Sequence, residues 1–360
     1  MKVKGYYFLY SPINTKEPDG IEKKIMAQRQ MFADAGVEME FELLHRDNRG
    51  NWKYEEKYSR ADFIYFRRST TIDWRFISFY KKIKHNGQPV IFMEIPTFPY
   101  EGEYGTSLWA KIRLHVDHFF RRFLKRCVDC IVITGSKTGG LLWGVKTIDI
   151  INGIDFAQNK PRLYQEHEGI NLACIAKFSP WHGYERLIMG LYNYFQRGGK
   201  ENVNVLMVGE GVEKPYYEEL VEKYNLQNHV CFLGKLTGEK LEHVYDVTDL
   251  GICSLGRYKS GIDIIGDLKS REFMAKGIPM VCGCRIDALE GKDYPYALFF
   301  PNNDSVVDIE SLLTFYASFS GEIPMTLTHE IREMTRPWID YGVTYKVVID
   351  EAVEKLKMRI

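Results

Sequence analysis

The first residues of this 360-residue chain lack a long hydrophobic run. Met1-Lys2-Val3-Lys4-Gly5 leads into an apolar stretch only from Tyr6 to Tyr10 before Ser11-Pro12, too short for a secretion signal or a membrane span and the right length for a β-strand. An excess of charge of one sign is also missing. Lys+Arg and Asp+Glu both total 48, so bulk attraction to nucleic acid is excluded and any charged partner must meet a local patch. Cysteine is sparse and odd in number. Of the seven, only Cys127/Cys130 and Cys282/Cys284 lie close together, and the one Cys-x-x-Cys has neither a second Cys-x-x-Cys nor a nearby histidine at ligand spacing, which reads as reduced, buried thiols in a cytosolic protein. There is no low-complexity tract and no short repeat. A Gly-x-Gly-x-x-Gly turn is absent after the first strand, which argues against a dinucleotide-dependent dehydrogenase.

What is present is alternation. Short β-rich runs are separated by longer helical patterns, the mark of parallel sheets covered by helices on both faces. A first series has strands near 3–10, 37–43, 63–66, 89–93, 130–134 and 147–151, with helices near 21–35, 74–84 and 107–126. A second has strands near 172–176, 204–208, 230–232, 250–253 and 280–282, with helices near 184–196, 216–223, 238–245 and 268–276. Turn residues and charges between 152 and 169 mark the join. The chain is long enough for two domains with separate cores.

The densest chemistry lies in Asp267-Leu268-Lys269-Ser270-Arg271-Glu272-Phe273-Met274-Ala275-Lys276-Gly277-Ile278-Pro279. A helix opens on a polar cluster there and closes on Gly-x-Pro. Unpaired amides and the positive dipole end attract phosphate, Lys269 and Arg271 add charge, and Glu272 can accept from hydroxyls. A nucleotide sugar carries both kinds of group.

A second element is Ala176-Lys177-Phe178-Ser179-Pro180-Trp181-His182-Gly183-Tyr184-Glu185-Arg186-Leu187. A strand ends near Lys177 and a helix begins near Gly183, so Lys177 and His182 flank a strand-to-helix turn that suits an anion. His182 either takes a proton from a neighbouring diphosphate or donates a neutral N–H; an exposed lysine and a helix-capping histidine are the plainer alternative.

These two runs resemble the donor-site motifs of retaining glycosyltransferases of family 4, and more closely a subset of bacterial surface-polysaccharide transferases. The family carries Glu-x-Met-Ala-x-Gly-x-Pro-Val, in which Glu272 holds the nucleotide ribose, and an Arg and a Lys that neutralise the leaving diphosphate, at the places of Lys177 and His182. The sequence departs from the family where the first Glu of a Glu-x7-Glu pair would stand, at Ile264, leaving Asp263 or Asp267 to cover its contact with the donor sugar. Lysine in place of arginine keeps charge but loses the bidentate fork.

The resemblance implies a GT-B fold, two Rossmann-like domains with parallel sheets facing across a cleft. It places an acceptor-side domain at 1–158, a donor domain at 159–339 and a last helix, about 340–360, crossing back onto the first. Asn152-Gly153-Ile154-Asp155 resembles the segment that leaves the first domain in that fold. It also implies that Gly209 in Val208-Gly209-Glu210-Gly211, Gly234 and Leu236 line the nucleotide, that Gly20 in Asp19-Gly20-Ile21 lies by the donor phosphates, and that the Gly266, Asp267, Leu268 and Lys269 loop binds the diphosphate. Glycine turns of this kind are common in α/β proteins and say little alone. No Asp-x-Asp motif occurs and family members commonly work without metal, so neither metal nor resident cofactor is expected; the nucleotide-diphosphate sugar is a co-substrate.

Two features point to an acceptor. Glu94, in Met93-Glu94-Ile95-Pro96-Thr97-Phe98-Pro99-Tyr100, reads either as a carboxylate at a cleft rim that binds or deprotonates a sugar hydroxyl, or as a structural turn carboxylate. The helix 107–126 carries Trp109, Lys111, Arg113, Phe119, Phe120, Arg121, Arg122, Phe123, Lys125 and Arg126. It reads either as a surface lying on an anionic membrane at its inner face, where a lipid-linked acceptor waits, or as a core helix with its apolar stripe inward. The leading expectation is a retaining sugar transfer to a glycan or lipid-linked glycan in surface-polysaccharide biosynthesis. A sugar-nucleotide epimerase of the same architecture and a non-catalytic binding subunit stand as alternatives.

Overall fold

The computed structural model describes residues 3–359 except 17, 19, 69, 106, 136, 322 and 323, together with the backbone but not the side chains of 102 and 103. The chain divides into two compact units, one formed by residues up to 151 together with those from 341 onward, the other by 152–340.

The first unit is built on seven strands, β1 (Val3–Leu9), β2 (Val37–Leu43), β3 (Phe63–Arg67), β4 (Val90–Ile95), β5 (Cys130–Thr134), β6 (Leu141–Leu142) and β7 (Val145–Ile150). They run in the order β2-β1-β3-β4-β5-β7-β6, parallel except for the β6–β7 pair. Helices α1 (Gly20–Asp34), α2 (Glu56–Ser59), α3 (Trp74–Gly87) and α4 (Leu108–Phe120) connect them. Side chains alternate across the sheet. Phe8, Ile64, Phe66, Ile91 and Met93 meet Phe76, Phe79, Tyr80 and Ile83 of α3 on one face, while Tyr7, Phe63, Tyr65 and Phe92 meet Ile25 and Phe32 of α1 on the other. That second face also takes Tyr345, Val348, Ile349, Ala352 and Leu356. Burial on both sides is why these strands read as continuous apolar runs. The Cys-x-x-Cys pair is split between them, Cys127 in one core and Cys130 in the other.

The second unit holds β8 (Ile170–Ile175), β9 (Val203–Val208), β10 (Val230–Gly234), β11 (Leu250–Ile252), β12 (Ile264–Ile265), β13 (Met280–Cys282), β14 (Arg285–Ile286) and β15 (Ala297–Phe299). The main sheet is six parallel strands in the order β10-β9-β8-β11-β13-β15, and β12 pairs with β14 alone. Its helices are α5 (Glu185–Gln196), α6 (Lys214–Lys223), α7 (Gly238–Asp246), α8 (Leu268–Lys276), α9 (Ile309–Ala317) and α10 (Pro324–Ile339). Chain order runs outward from β8 through β9 and β10, then returns to β11 on the other side. The neighbours β8 and β11 therefore flank a topological switch point, and the loops leaving their carboxyl ends diverge there. After α10 the chain adds α11 (Tyr341–Thr344) and α12 (Lys346–Lys357) to the first unit.

The segment expected to join the halves is packed into the second unit. Ile154 N–H donates to Ile339 O at 2.7 Å and Gln165 N–H to Asp246 O at 2.9 Å. Arg162, buried, donates through Nε to Thr328 Oγ1 at 2.9 Å and through Nη1 to Thr248 O. Its turn residues thus serve side-chain anchoring and not reach.

Candidate donor site

The site is assembled from loops at the carboxyl ends of β8, β9, β10 and β11 and from the turn that leads from β12 into α8 in the second unit. Gly209 shows how tightly they approach: a Cβ there would lie 1.8 Å from Ala176 O, at a φ of +138° that glycine alone tolerates. Phe178 N–H donates to Glu210 O at 2.8 Å, so the turn after β9 is stitched along the segment carrying Lys177. Gly209 N–H donates to Gly234 O at 2.8 Å, which brings in β10. Leu236 packs half-buried on Ala173, Val208 and Val244.

Helix α8 opens with Asp267 as its N-cap, Oδ1 accepting from Ser270 N–H at 3.2 Å. The other carboxylate oxygen, Oδ2, is buried and has no hydrogen-bond partner among the described residues. Lys269 is half-buried, its Nζ donating to Tyr184 Oη at 3.0 Å, and burial holds its ammonium below the usual lysine value with further lowering from Arg257, against Asp267 and Cys253. Glu272, half-buried, accepts from Tyr245 Oη at 3.2 Å.

Arg271 corrects the sequence expectation. Its side chain is fully buried and spent inside the protein: Nε donates to Asn152 O and Nη1 to Ser270 Oγ, each at 3.0 Å, and Nη2 pairs with Asp287. Asn152 in turn donates to Gly266 O, and a Cβ on Gly266 would lie 2.5 Å from Asp287 Oδ2. Arg271 therefore braces the 266–269 loop from within, and a donor would meet the amides of Leu268 and Lys269.

Ile264, at the missing-Glu position, sits in β12 paired to Arg285. Asp263 accepts from Asn302 Nδ2 at 2.9 Å. Of the two acids expected to substitute, Asp267 alone keeps an unpartnered buried oxygen.

On the other side of the switch point Lys177 is exposed. His182 is buried at 8 % exposure; its Nδ1 accepts from Ser179 N–H at 3.0 Å, which leaves the ring proton on Nε2. Burial, then the charges of Lys269 and Arg257, push its pKa down from 6.5 to about 2. The ring stacks on Tyr184 at 5.6 Å and 21°. His182 thus completes a capping box with Ser179, and with Lys177 exposed this is the plainer arrangement of a free lysine and a helix-capping histidine, which leaves a neutral Nε2–H to donate. Tyr184 and Arg257 are neighbours that the sequence reading passed over; Gly256, tight against Gly183, is the signal that marked the second of them.

Gly20 and Glu94 belong to the first unit. Gly20 begins α1, after Asp19, which is outside the described residues. Glu94 does not stand at a rim: it is fully buried in β4, bonded to Lys24 Nζ, Gln28 Nε2 and Tyr65 Oη, each at 2.7 Å. Burial alone would raise its pKa, but Lys24 and Arg67 with the hydrogen bonds from Lys24 and Tyr65 bring it down to about 2. A carboxylate so held is a poor proton acceptor at neutral pH. Its aromatic neighbours Tyr65 and Tyr345 continue the network to α12, hydroxyl to hydroxyl. Among the described residues no group of His, Cys, Asp or Glu side chains is arranged to hold a metal.

Residues 156–283, which span the whole cluster from Lys177 to Glu272, match the family of glycosyl transferases group 1. A search of curated proteins finds no match. Among solved structures the chain resembles sucrose-phosphate synthase from Thermosynechococcus elongatus, with 14% identity, TM-score 0.66, and 99% of this chain and 100% of that one covered. It resembles a glycosyltransferase from Rickettsia africae with 12% identity, TM-score 0.64 and 99% of each chain covered. It resembles Anabaena HepE in complex with UDP-glucose with 14% identity, TM-score 0.60 and 99% of each chain covered. The fold is thus GT-B, and with a glycosyl transferases group 1 domain carrying the switch-point cluster the chain is a glycosyltransferase.

Proposed function

We propose that the protein is a retaining transferase that moves a sugar from a nucleotide-diphosphate sugar to a hydroxyl of a glycan or lipid-linked glycan in surface-polysaccharide biosynthesis, without a bound metal. The observation that carries the donor assignment is the meeting of exposed Lys177, the Nε2–H of neutral His182 and the first turn of α8 around one switch point. Such fixed donors stabilise charge developing on a departing diphosphate. Glu272 holds the ribose, and Asp267 Oδ2 is the acceptor left for a donor-sugar hydroxyl. On the front-face route the C1–O bond to phosphate breaks while the acceptor oxygen bonds C1 on the same face. The acceptor proton passes to the leaving phosphate oxygen, and nucleoside diphosphate departs.

The acceptor side rests on α4. It fully buries Ala110 and Asp117 and half-buries Leu114, Val116 and Phe120. Asp117 accepts from Tyr100 Oη at 2.5 Å, Tyr104 Oη at 3.0 Å, Arg68 Nη2 at 3.2 Å and Ile72 N–H at 2.8 Å. Leu108, Trp109, Ile112 and Phe119 are 72%, 75%, 43% and 50% exposed. Lys111, Arg113, Arg122, Lys125 and Arg126 are exposed around them, and the segment's one acid is the buried Asp117. An apolar face ringed mostly by cations, with Glu101 paired to Arg121 and His118 at its edge, suits the anionic inner surface of a membrane bearing a lipid-linked acceptor.

The test is a screen of nucleotide sugars against wild type, Lys177→Ala and Glu272→Ala. Each variant should stay folded and lose about a hundredfold or more of transfer activity. Near-normal turnover in both would overturn the donor-site assignment. Isomerisation of a nucleotide sugar in the absence of acceptor would favour an epimerase.

A further inference from the structure

The donor reading leaves the site one positive charge short. A sugar nucleotide bears a negative charge on each phosphate, and the two positions expected to answer them are Lys177 and His182. His182 is neutral, with one ring nitrogen already bonded to Ser179, and offers a single N–H. Lys269 has its ammonium bonded to the Tyr184 hydroxyl and half withdrawn from solvent.

A further cation stands on the opposite side of the switch point. The loop leaving β11 is fastened to the His182 turn: Leu255 N–H donates to His182 O at 2.7 Å. A Cβ on Gly183, at φ +64°, would fall 2.5 Å from Gly256 N. The two backbones touch, and the next residue is Arg257. Its Cζ lies 5.9 Å from the ring centroid of Trp181, the neighbour of His182. Among the described residues its guanidinium makes no hydrogen bond and no ion pair, and Nε is buried without an acceptor. Neither nearby acid pairs with it, although Glu185 Oε2 and Asp267 Oδ2 are themselves buried without a partner among the described residues. Glu185 is bonded to Lys259 Nζ at 2.5 Å, and Asp267 Oδ1 caps α8. A buried guanidinium N–H without an acceptor is costly, and a fork of donors held on an aromatic ring beside an anion site is fitted to phosphate oxygens. The charge is also felt where it should be: Arg257 is one of the two cations that keep His182 unprotonated.

We propose that Arg257 is the second cation on the diphosphate of the nucleotide-sugar donor, acting with Lys177 while His182 supplies a neutral hydrogen bond. The proposal rests on the donor-site reading above. It explains how the family's lysine can become a histidine without loss of charge at the site: the charge arrives from the β11 loop and not from the β8 loop.

The experiment titrates the full-length protein with UDP, GDP and ADP, and with the matching nucleosides, by calorimetry. Arg257→Gln should weaken the best-bound nucleoside diphosphate about tenfold or more and leave the nucleoside unchanged. Arg257→Lys should recover part of the loss, since it keeps the charge but not the fork. Because the guanidinium makes no hydrogen bond or ion pair among the described residues and only a long contact with Trp181, both variants should melt within a few degrees of wild type. An NMR titration adds a readout that a packing role would not move: the His182 ring should become easier to protonate in Arg257→Gln. If Lys177→Ala weakens diphosphate binding and Arg257→Gln does not, the inference falls and the donor site stands. If no nucleoside diphosphate binds the wild type, both fall.

Discussion

At the scale of single residues, the site depends on which form a side chain takes once it is enclosed. His182 is the clearest case, since a histidine beside a phosphate site is read as a charge and the structure makes it a dipole. Residue type and spacing were legible; protonation was not, because it is set by burial under Tyr184 and by Lys269 and Arg257, which arrive from distant loops. Glu94 misled in the same way: its prolines and aromatics mark a rim, but Lys24 and Gln28 of α1 draw it into the core. The His182 state has a measurable consequence. Between about 6.5 and about 2 the unfolded chain binds a proton at this residue that the folded chain refuses. Stability therefore falls as pH drops below about 6.5, by up to about 1.4 kcal/mol per pH unit. Glu94, moved from 4.5 to about 2, has its full stabilising effect above pH 4.5 and loses it only below that. Thermal melts of His182→Asn from pH 6.5 to pH 5 should accordingly show a shallower decline than wild type. An equal decline would mean that His182 is protonated in the fold.

At the scale of elements, the long buried strands were legible because a strand covered on both faces must be apolar throughout. The short β12 and β14 were not, since two residues carry no period. Helix α8 was legible at both ends, from Asp267 to Gly277, but the direction of its side chains was not. Arg271 looks like a ligand in the sequence and is a brace in the fold. Arg271→Ala should lower stability by about 3–5 kcal/mol, the cost of breaking a buried pair. With the 266–269 loop unbraced, affinity for nucleoside diphosphate should fall only along with that loss of stability. A selective loss of affinity at unchanged stability would return Arg271 to the donor. Helix α4 keeps Leu114, Val116 and Phe120 half-buried but turns its one acid inward and Leu108, Trp109, Ile112 and Phe119 outward, which period alone cannot reveal. Co-sedimentation with vesicles of phosphatidylcholine and phosphatidylglycerol should show binding that weakens in high salt. Trp109→Ala combined with Ile112→Ala should reduce it about tenfold or more. Equal binding to neutral vesicles would overturn the charge-led reading.

For the whole molecule, the α/β class was written in the alternation of strands and helices, whereas the division of the chain depends on side-chain anchors that alternation does not show. Arg162 ties the expected linker into the second unit. Tyr345, Val348, Ile349, Ala352 and Leu356 tie the last helix into the first. Burial of Val348, Ile349 and Leu356 stabilises by about 1.5–3 kcal/mol each, a large share of the about 5–15 kcal/mol that holds a domain folded. Removing 341–360 should therefore lower or abolish the melting transition of the first unit and leave that of the second in place. Two unchanged transitions by calorimetry would contradict this.

The same return of the chain sets an order of events during synthesis. Strands β1–β7 leave the ribosome first, yet the face of their sheet that takes Tyr345 and Leu356 stays uncovered until the whole second unit has been made. The later-translated half is complete first, and the nascent earlier half must keep an open apolar face from aggregation for as long as residues 152–340 take to emerge.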